Sequence, residues 1–158
     1  MLAAMVALNL IAAAAQSGTA DLVVVEKAAR RLTLYRAGEE ISSYRIALGF
    51  DPIGDKERQG DGRTPEGRYV IDHKNPHSRF HLSLRVSYPS SSDRQEAASK
   101  GLDPGGDIFI HGLPDSWGWA SPFHSMRDWT LGCIAVTNEE IEEIWQLVPV
   151  GTPIEIKP

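Results

Sequence analysis

Apolar and polar positions alternate in short runs separated by turn residues, a pattern that predicts strands more than helices. Three such runs follow one another early in the chain: the Val-rich 21–26, then 31–36 with Leu32 and Leu34 on one face, then 41–49 after Ala37-Gly38-Glu39. They predict a meander with Arg30, Arg31 and Arg36 on its solvated side. Residues 49–67 are crowded with Gly, Pro and Asp and read as a surface loop, which Thr64-Pro65-Glu66-Gly67 turns into a strand over 67–73. Residues 81–89 alternate again. His73, His77 and His81 recur at four-residue intervals, but Pro76 breaks the helix that would align them, so no metal site is expected.

Two segments carry helix signals instead. Residues 90–101 read as a short surface helix, capped by Ser or Asp and ended by Gly101. Thr137 and Glu140 form a capping box for a second helix over 138–148, which shows Ile141, Ile144, Trp145 and Val148 on one face before Pro149. The closing 152–158 alternates as a last strand. The expected fold class is mostly β with short helices, an α+β arrangement.

Composition adds a location and removes some functions. The first fifteen residues carry no charged side chain, and their apolar run is shorter than the roughly 20 residues a spanning helix needs. Ala13 and Ala15 before Gln16 make an A-x-A-like cleavage site. Residues 1–15 are therefore read as a signal peptide and 21–158 as one domain, exported to the periplasm or cell wall. The net charge of −5 has no basic cluster to offset it, which argues against a nucleic-acid partner.

Export sharpens the meaning of Cys133, the one cysteine in the chain, because exported proteins tend to pair their thiols. His111 and Cys133 stand 22 positions apart. Each borders an apolar run, Ile108-Phe109-Ile110 and Ile134-Ala135-Val136, and each has a glycine beside it, Gly112 and Gly132. Two adjacent strands joined by a long loop would bring them together. A thiol with a base beside it is a nucleophile, since only the thiolate attacks and a free cysteine has a pKa of about 8.5. Such pairing predicts a thiol that reacts below its ordinary pH range. The other reading of the same residues is a buried inert cysteine and an unrelated histidine.

Four pieces in order, Thr64-Pro65-Glu66-Gly67, the strand from Phe80 to Pro89, His111-Gly112 and Thr130-Leu131-Gly132-Cys133, resemble the YkuD-type L,D-transpeptidase catalytic domain. The resemblance spans the chain from about residue 21 onward and implies that family's β-sandwich-like fold. It implies Cys133 as nucleophile and His111 as base, with Gly112, Gly132 and Thr130 supporting them and the Gly112 carbonyl orienting the imidazole. Backbone N–H groups near Gly132 and Cys133 would hold the oxyanion. The donor implied is a peptidoglycan stem peptide with diaminopimelate third and a terminal D-alanine. An amine acceptor resolves the thioester, carbapenems are expected inhibitors, and neither metal nor organic cofactor is needed. Water as acceptor, which gives an amidase or L,D-carboxypeptidase, and a non-catalytic peptidoglycan-binding module are the alternatives.

This chain departs from the family pattern in three places. The spacer from Gly112 to Thr130 is longer, Leu131 stands where many members have His, and Ala135 where they have Arg or Asn. The long spacer reads as a lid. Its aromatics would cover substrate, and Arg127, Asp128 and Trp129 would contact it. Equally, those aromatics would simply pin a long loop to the core.

Overall fold

The structure, a computed structural model, describes residues 18–158, so the leader expected at 1–15 lies outside the described residues. Eight strands form one curled sheet: β1 (Leu22–Glu26), β2 (Arg31–Arg36), β3 (Glu39–Arg45), β4 (Gly67–Ser78), β5 (His81–Val86), β6 (Phe109–His111), β7 (Ile134–Ala135) and β8 (Pro153–Lys157). Their order in space is β3-β2-β1-β8-β4-β5-β6-β7. Two helices, α1 (Ser91–Ser99) and α2 (Asn138–Leu147), and a 3-10 segment (Asp115–Met126) complete it. No helix among the described residues is long and apolar enough to cross a membrane.

Alternation does what the sequence pattern predicts. Val23 and Val25 of β1, Leu32 and Leu34 of β2, and Ile154 and Ile156 of β8 all turn into one core with Ile71, Leu84, Ile110 and Ile134. Each such side chain contributes about 1.5–3 kcal/mol on burial. β1 runs antiparallel to β2 and parallel to β8, which places the C-terminal strand at the middle of the sheet.

The predicted caps form. The Thr137 hydroxyl accepts from the Glu140 N–H at 3.2 Å while the Glu140 carboxylate accepts from the Thr137 N–H at 2.8 Å. Ser90 and Asp93 make the same reciprocal pair at the start of α1. Ile141 and Ile144 of α2 are buried in the core, with Trp145 packed partly against it.

The sheet does not end in two free edges. Beyond β3 the chain continues as residues 46–50 and meets β7, with the Ala47 N–H bonded to the Ala135 carbonyl at 3.0 Å and the Ala135 N–H returning to Ala47 at 2.9 Å. Phe50 N–H to the Thr130 carbonyl at 3.0 Å and Thr130 N–H to the Leu48 carbonyl at 3.1 Å extend the seam. The first and last strands of the order are thereby stitched together beside the Thr130–Cys133 turn.

One early expectation fails here. Arg30 does not face water: its Nε and Nη2 grip the Asp128 carboxylate at 3.0 and 2.7 Å, and both side chains are largely covered. Arg30 is left-handed at φ 51° in the β1–β2 turn, which aims it across the sheet rather than outward. Arg31 stays on the surface, paired with Glu26 at 2.7 Å.

Candidate active site

β6 and β7 are parallel neighbours, Ile110 opposite Ile134 and His111 opposite Ala135. Side chains alternate along a strand, so the two isoleucines point into the core and His111 leaves by the other face. Cys133, one residue before Ile134, leaves by that same face. His111 and Cys133 both open into a cleft of about 1030 Å³, walled by β4–β5 residues, by 103–109 and by Trp129–Leu131.

The imidazole is fixed by its own chain. His111 Nδ1 lies 2.6 Å from the Gly112 carbonyl oxygen, which can only accept, so Nδ1 carries the hydrogen and Nε2 holds the free lone pair. Phe80 stacks on the ring at 4.3 Å between centroids and Trp129 meets it edge-on at 5.9 Å. Burial drives the His111 pKa down to about 4; the Gly112 carbonyl works against that shift and nearby His124 adds to it. Gly112 has no room for a side chain, since a Cβ there would come within 2.6 Å of Asn138 Oδ1 at the start of α2.

The thiol is held by a second clamp. Thr130 Oγ1 donates to the Cys133 carbonyl at 2.7 Å and accepts from the Gly132 N–H at 3.1 Å. Gly132 sits at φ +137°, and a Cβ on it would meet the Arg63 carbonyl at 2.7 Å. That glycine amide is taken up inside the turn by Thr130 Oγ1. The Cys133 thiol donates to the Asp107 carbonyl at 3.5 Å. Burial raises its pKa to about 11; the Phe109 backbone amide opposes that shift and the Asp107 carboxylate reinforces it. The resting pair is a neutral thiol and a neutral imidazole, the reverse of the acid-shifted thiol expected from residue types.

The Gly- and Asp-rich segment 49–66 is more ordered than its composition suggests. Lys27, 2% exposed, donates to the Gly54 and Thr64 carbonyls at 2.7 and 2.9 Å and to Glu66 at 2.9 Å. Lys56 is buried against Asp61 at 2.8 Å. Asp61 also accepts the amides of Glu57, Arg58 and Arg63; burial works against ionisation there, but these hydrogen bonds win and bring its pKa down to about 2. Lys56, Gln59 and Gly60 form part of the cleft wall. Buried lysines carry no periodic signature, so sequence reasoning missed them.

The long spacer resolves into both of its readings. Trp129 lines the cleft, and Trp117 packs on it at 4.9 Å. Trp119 and Phe123 face solvent at 79% and 60% exposure and do not cover the cleft. Neither Arg127 nor Asp128 lines it: Arg127 is exposed elsewhere, and Asp128 is taken up by Arg30 and by the Leu48 N–H at 3.0 Å. His124 is buried in the segment, close enough to His111 to act on its charge but not itself lining the cleft.

Comparison with known proteins agrees with this geometry. A family model described as the YkuD L,D-transpeptidase catalytic domain matches residues 20–156. The Escherichia coli K12 protein named "Putative L,D-transpeptidase YafK" is 31% identical over 137 residues, covering 83% of this chain and 48% of its own. The chain thus spans about half the length of the curated relative it matches. Among solved structures, the helical cell shape determining protein Pgp2 from Campylobacter jejuni superposes with a TM-score of 0.68 at 25% identity, over 90% of this chain and 49% of its own. L,D-transpeptidase 3 from Mycobacterium tuberculosis, solved with a faropenem-derived adduct, shares the fold at a TM-score of 0.59 and 16% identity, over 89% and 61%. With the sequence match running through the strand that carries His111 and the turn that carries Cys133, the chain belongs to the YkuD family of L,D-transpeptidase catalytic domains.

Proposed function

We propose that this chain is a cysteine-dependent L,D-transpeptidase that acts on peptidoglycan stem peptides in the periplasm or cell wall through a thioester. The observation that carries the reading is the His111–Cys133 pair opening into one cleft, with Nδ1 tied to Gly112 and Nε2 left as the basic nitrogen.

Cys133 Sγ attacks the carbonyl of the third stem residue while His111 Nε2 takes the thiol proton. With the thiol near 11 and the imidazole near 4, a resting ion pair is strongly disfavoured, so proton transfer accompanies attack rather than preceding it. The imidazolium is stabilised through Nδ1 by the Gly112 carbonyl. Collapse breaks the C–N bond, and Nε2 returns the proton to the departing amine. An acceptor amine then attacks the thioester, transfers its proton to Nε2 and frees the thiol. Leader, domain 21–158 and these roles for Cys133, His111, Gly112 and Thr130 belong to one reading. The likeness to Pgp2, named for helical cell shape, extends it to an effect on the shape of the wall.

The test pairs intact-protein mass spectrometry with product analysis. A carbapenem should add its mass to Cys133, and the adduct should disappear in Cys133→Ala. Muropeptides incubated with the protein and an amine acceptor should yield cross-linked or exchanged products. Accumulation of tripeptides alone would instead identify a hydrolase. Unchanged muropeptide binding with no adduct would identify a binding module.

A further inference from the structure

The hydrogen bonds of the sheet stop just before the peptide group that orients the base. The His111 carbonyl accepts the Val136 N–H at 3.0 Å, and the Gly112 N–H reaches the Leu82 carbonyl at 3.3 Å. Beyond them the chain leaves β6, and the next peptide group joins Gly112 to Leu113. Its oxygen receives His111 Nδ1–H at 2.6 Å. Its N–H donates to Asn138 Oδ1 at 2.8 Å. Both polar ends of this one peptide are therefore taken, the first by the base and the second by a side chain of α2.

Three features put Asn138 there. It is the first residue of α2, whose start is fixed by the Thr137–Glu140 box. It follows Cys133 along the run through β7, and because β7 lies parallel beside β6, the chain leaves both strands at the same end. Gly112 supplies the space: a Cβ there would lie 2.6 Å from Asn138 Oδ1, 2.9 Å from the Phe80 carbonyl and 3.0 Å from Ile141. Leu113 is fully buried, so its N–H depends on this partner.

Planarity turns the contact into control of the imidazole. In a trans peptide the C=O and N–H lie in one plane and point opposite ways, so holding the N–H also aims the carbonyl. Donation at one end polarises the group and makes its oxygen a better acceptor at the other. A carbonyl aimed and strengthened in this way keeps the hydrogen on Nδ1 and the lone pair on Nε2. It also favours the imidazolium that forms when Nε2 takes the thiol proton.

We infer that Asn138 is a positioning residue for the His111 base, acting through the Gly112–Leu113 peptide, so that a neutral amide and a peptide group together stand where other triads place a carboxylate. This rests on the reading of His111 as the base of a cysteine acyltransferase and adds a member from α2 to that machinery. Asn138 does not line the cleft, so its influence passes through the peptide.

The test reads the tautomer separately from turnover. Nitrogen NMR of the imidazole rings of the whole chain at neutral pH should show His111 as one tautomer, with the hydrogen on Nδ1. In Asn138→Ala the two tautomers should mix, and carbapenem acylation of Cys133 should slow about tenfold in its maximal rate. Asn138→Asp keeps the acceptor and should restore the single tautomer and most of the rate. Alanine is the best helix former and leaves the Thr137–Glu140 box untouched, so α2 should persist. If Asn138→Ala does not fold, Asn138→Ser, one atom too short to reach the amide, should give the same readings. A mixed tautomer in the wild type, an unchanged tautomer in the shortened variants, a slowing no larger than the loss of folded protein, or an Asp variant as slow as Ala overturns the inference. A wild type that takes no adduct would instead overturn the transpeptidase reading, and the tautomer would still decide the role of Asn138.

Discussion

Arg30 and Asp128, 98 positions apart, form a two-point clamp in which the carboxylate also accepts the Leu48 N–H. It ties the β1–β2 turn to the residues just ahead of Trp129 and Thr130, and so to the wall and turn of the cleft. Asp128→Asn keeps the shape and removes the charge; Arg30→Ala leaves a largely covered carboxylate short of its partner. The first should cost about 1 kcal/mol and the second about 2–3 kcal/mol in urea unfolding, with peptide affinity reduced in both. Equal and negligible losses would show the clamp to be decorative.

Thr130 and Gly132 shape the turn that carries the nucleophile. Thr130→Val removes the hydroxyl that joins the Cys133 carbonyl to the Gly132 amide and should cost about 1–3 kcal/mol. Thr130→Ser should restore most of both stability and adduct formation. Gly132→Ala meets a left-handed φ and the Arg63 carbonyl together, and a loss above about 2 kcal/mol is expected by thermal melting. A melting temperature unchanged in Gly132→Ala would contradict the crowding.

His111 makes stability depend on acid in a defined window. Its folded pKa near 4 lies below the unfolded value of 6.5, so the unfolded chain binds more protons between those limits. Stability from this group is therefore full above about pH 6.5 and falls as pH drops toward 4, by about 3 kcal/mol in total. Asp61, also depressed, loses its contribution only below its ordinary value of 3.8, in a separate and more acidic window. His111→Gln should reduce the slope between pH 6.5 and 4 in denaturant titrations, the remainder coming from His124, whose pKa burial also lowers, while leaving the more acidic limb in place.

The resting thiol provides a direct readout of the neutral pair. Alkylation of Cys133 by iodoacetamide should rise only toward pH 11 in the free protein, not at neutral pH. His111→Ala should barely move that profile, since the thiol donates to Asp107 and not to the imidazole, yet it should abolish carbapenem acylation. A thiol that alkylates fully at neutral pH, with the profile shifted by His111→Ala, would restore the ion pair that residue types alone suggest.

Much of the architecture was legible because it is local. The alternation of Leu32 and Leu34, the Thr137–Glu140 box, a Ser or Asp cap for the first helix and the glycine at 101 each speak within a few residues. The family likeness joined His111 to Cys133 across 22 positions, and both line the cleft. What stayed hidden is contact between distant segments. Nothing near Arg30 announces Asp128, and nothing near Lys27 announces the loop it pins at Gly54, Thr64 and Glu66. Charged residues were read as solvated because that is their usual state, and burial, which sets the ionisation of Cys133 and His111, is a property of the folded whole. Arg127 and Asp128 illustrate the limit: adjacency to Trp129 in sequence suggested substrate contact, but the strand-like stretch after the 3-10 segment turns Asp128 away from the cleft.

The seam between residues 46–50 and β7 has a consequence for how the molecule can loosen. Amides of Ala47, Phe50, Thr130 and Ala135 all close the sheet, and Thr130 is also the residue that shapes the cysteine turn. These four should exchange with deuterium together and as slowly as the core, because opening one frees two strand edges at once. The cysteine turn then has no private route to disorder. Damage that disarms it also exposes raw sheet edge, so a protein inactivated at this point should self-associate rather than persist as a quiet, folded, inactive monomer.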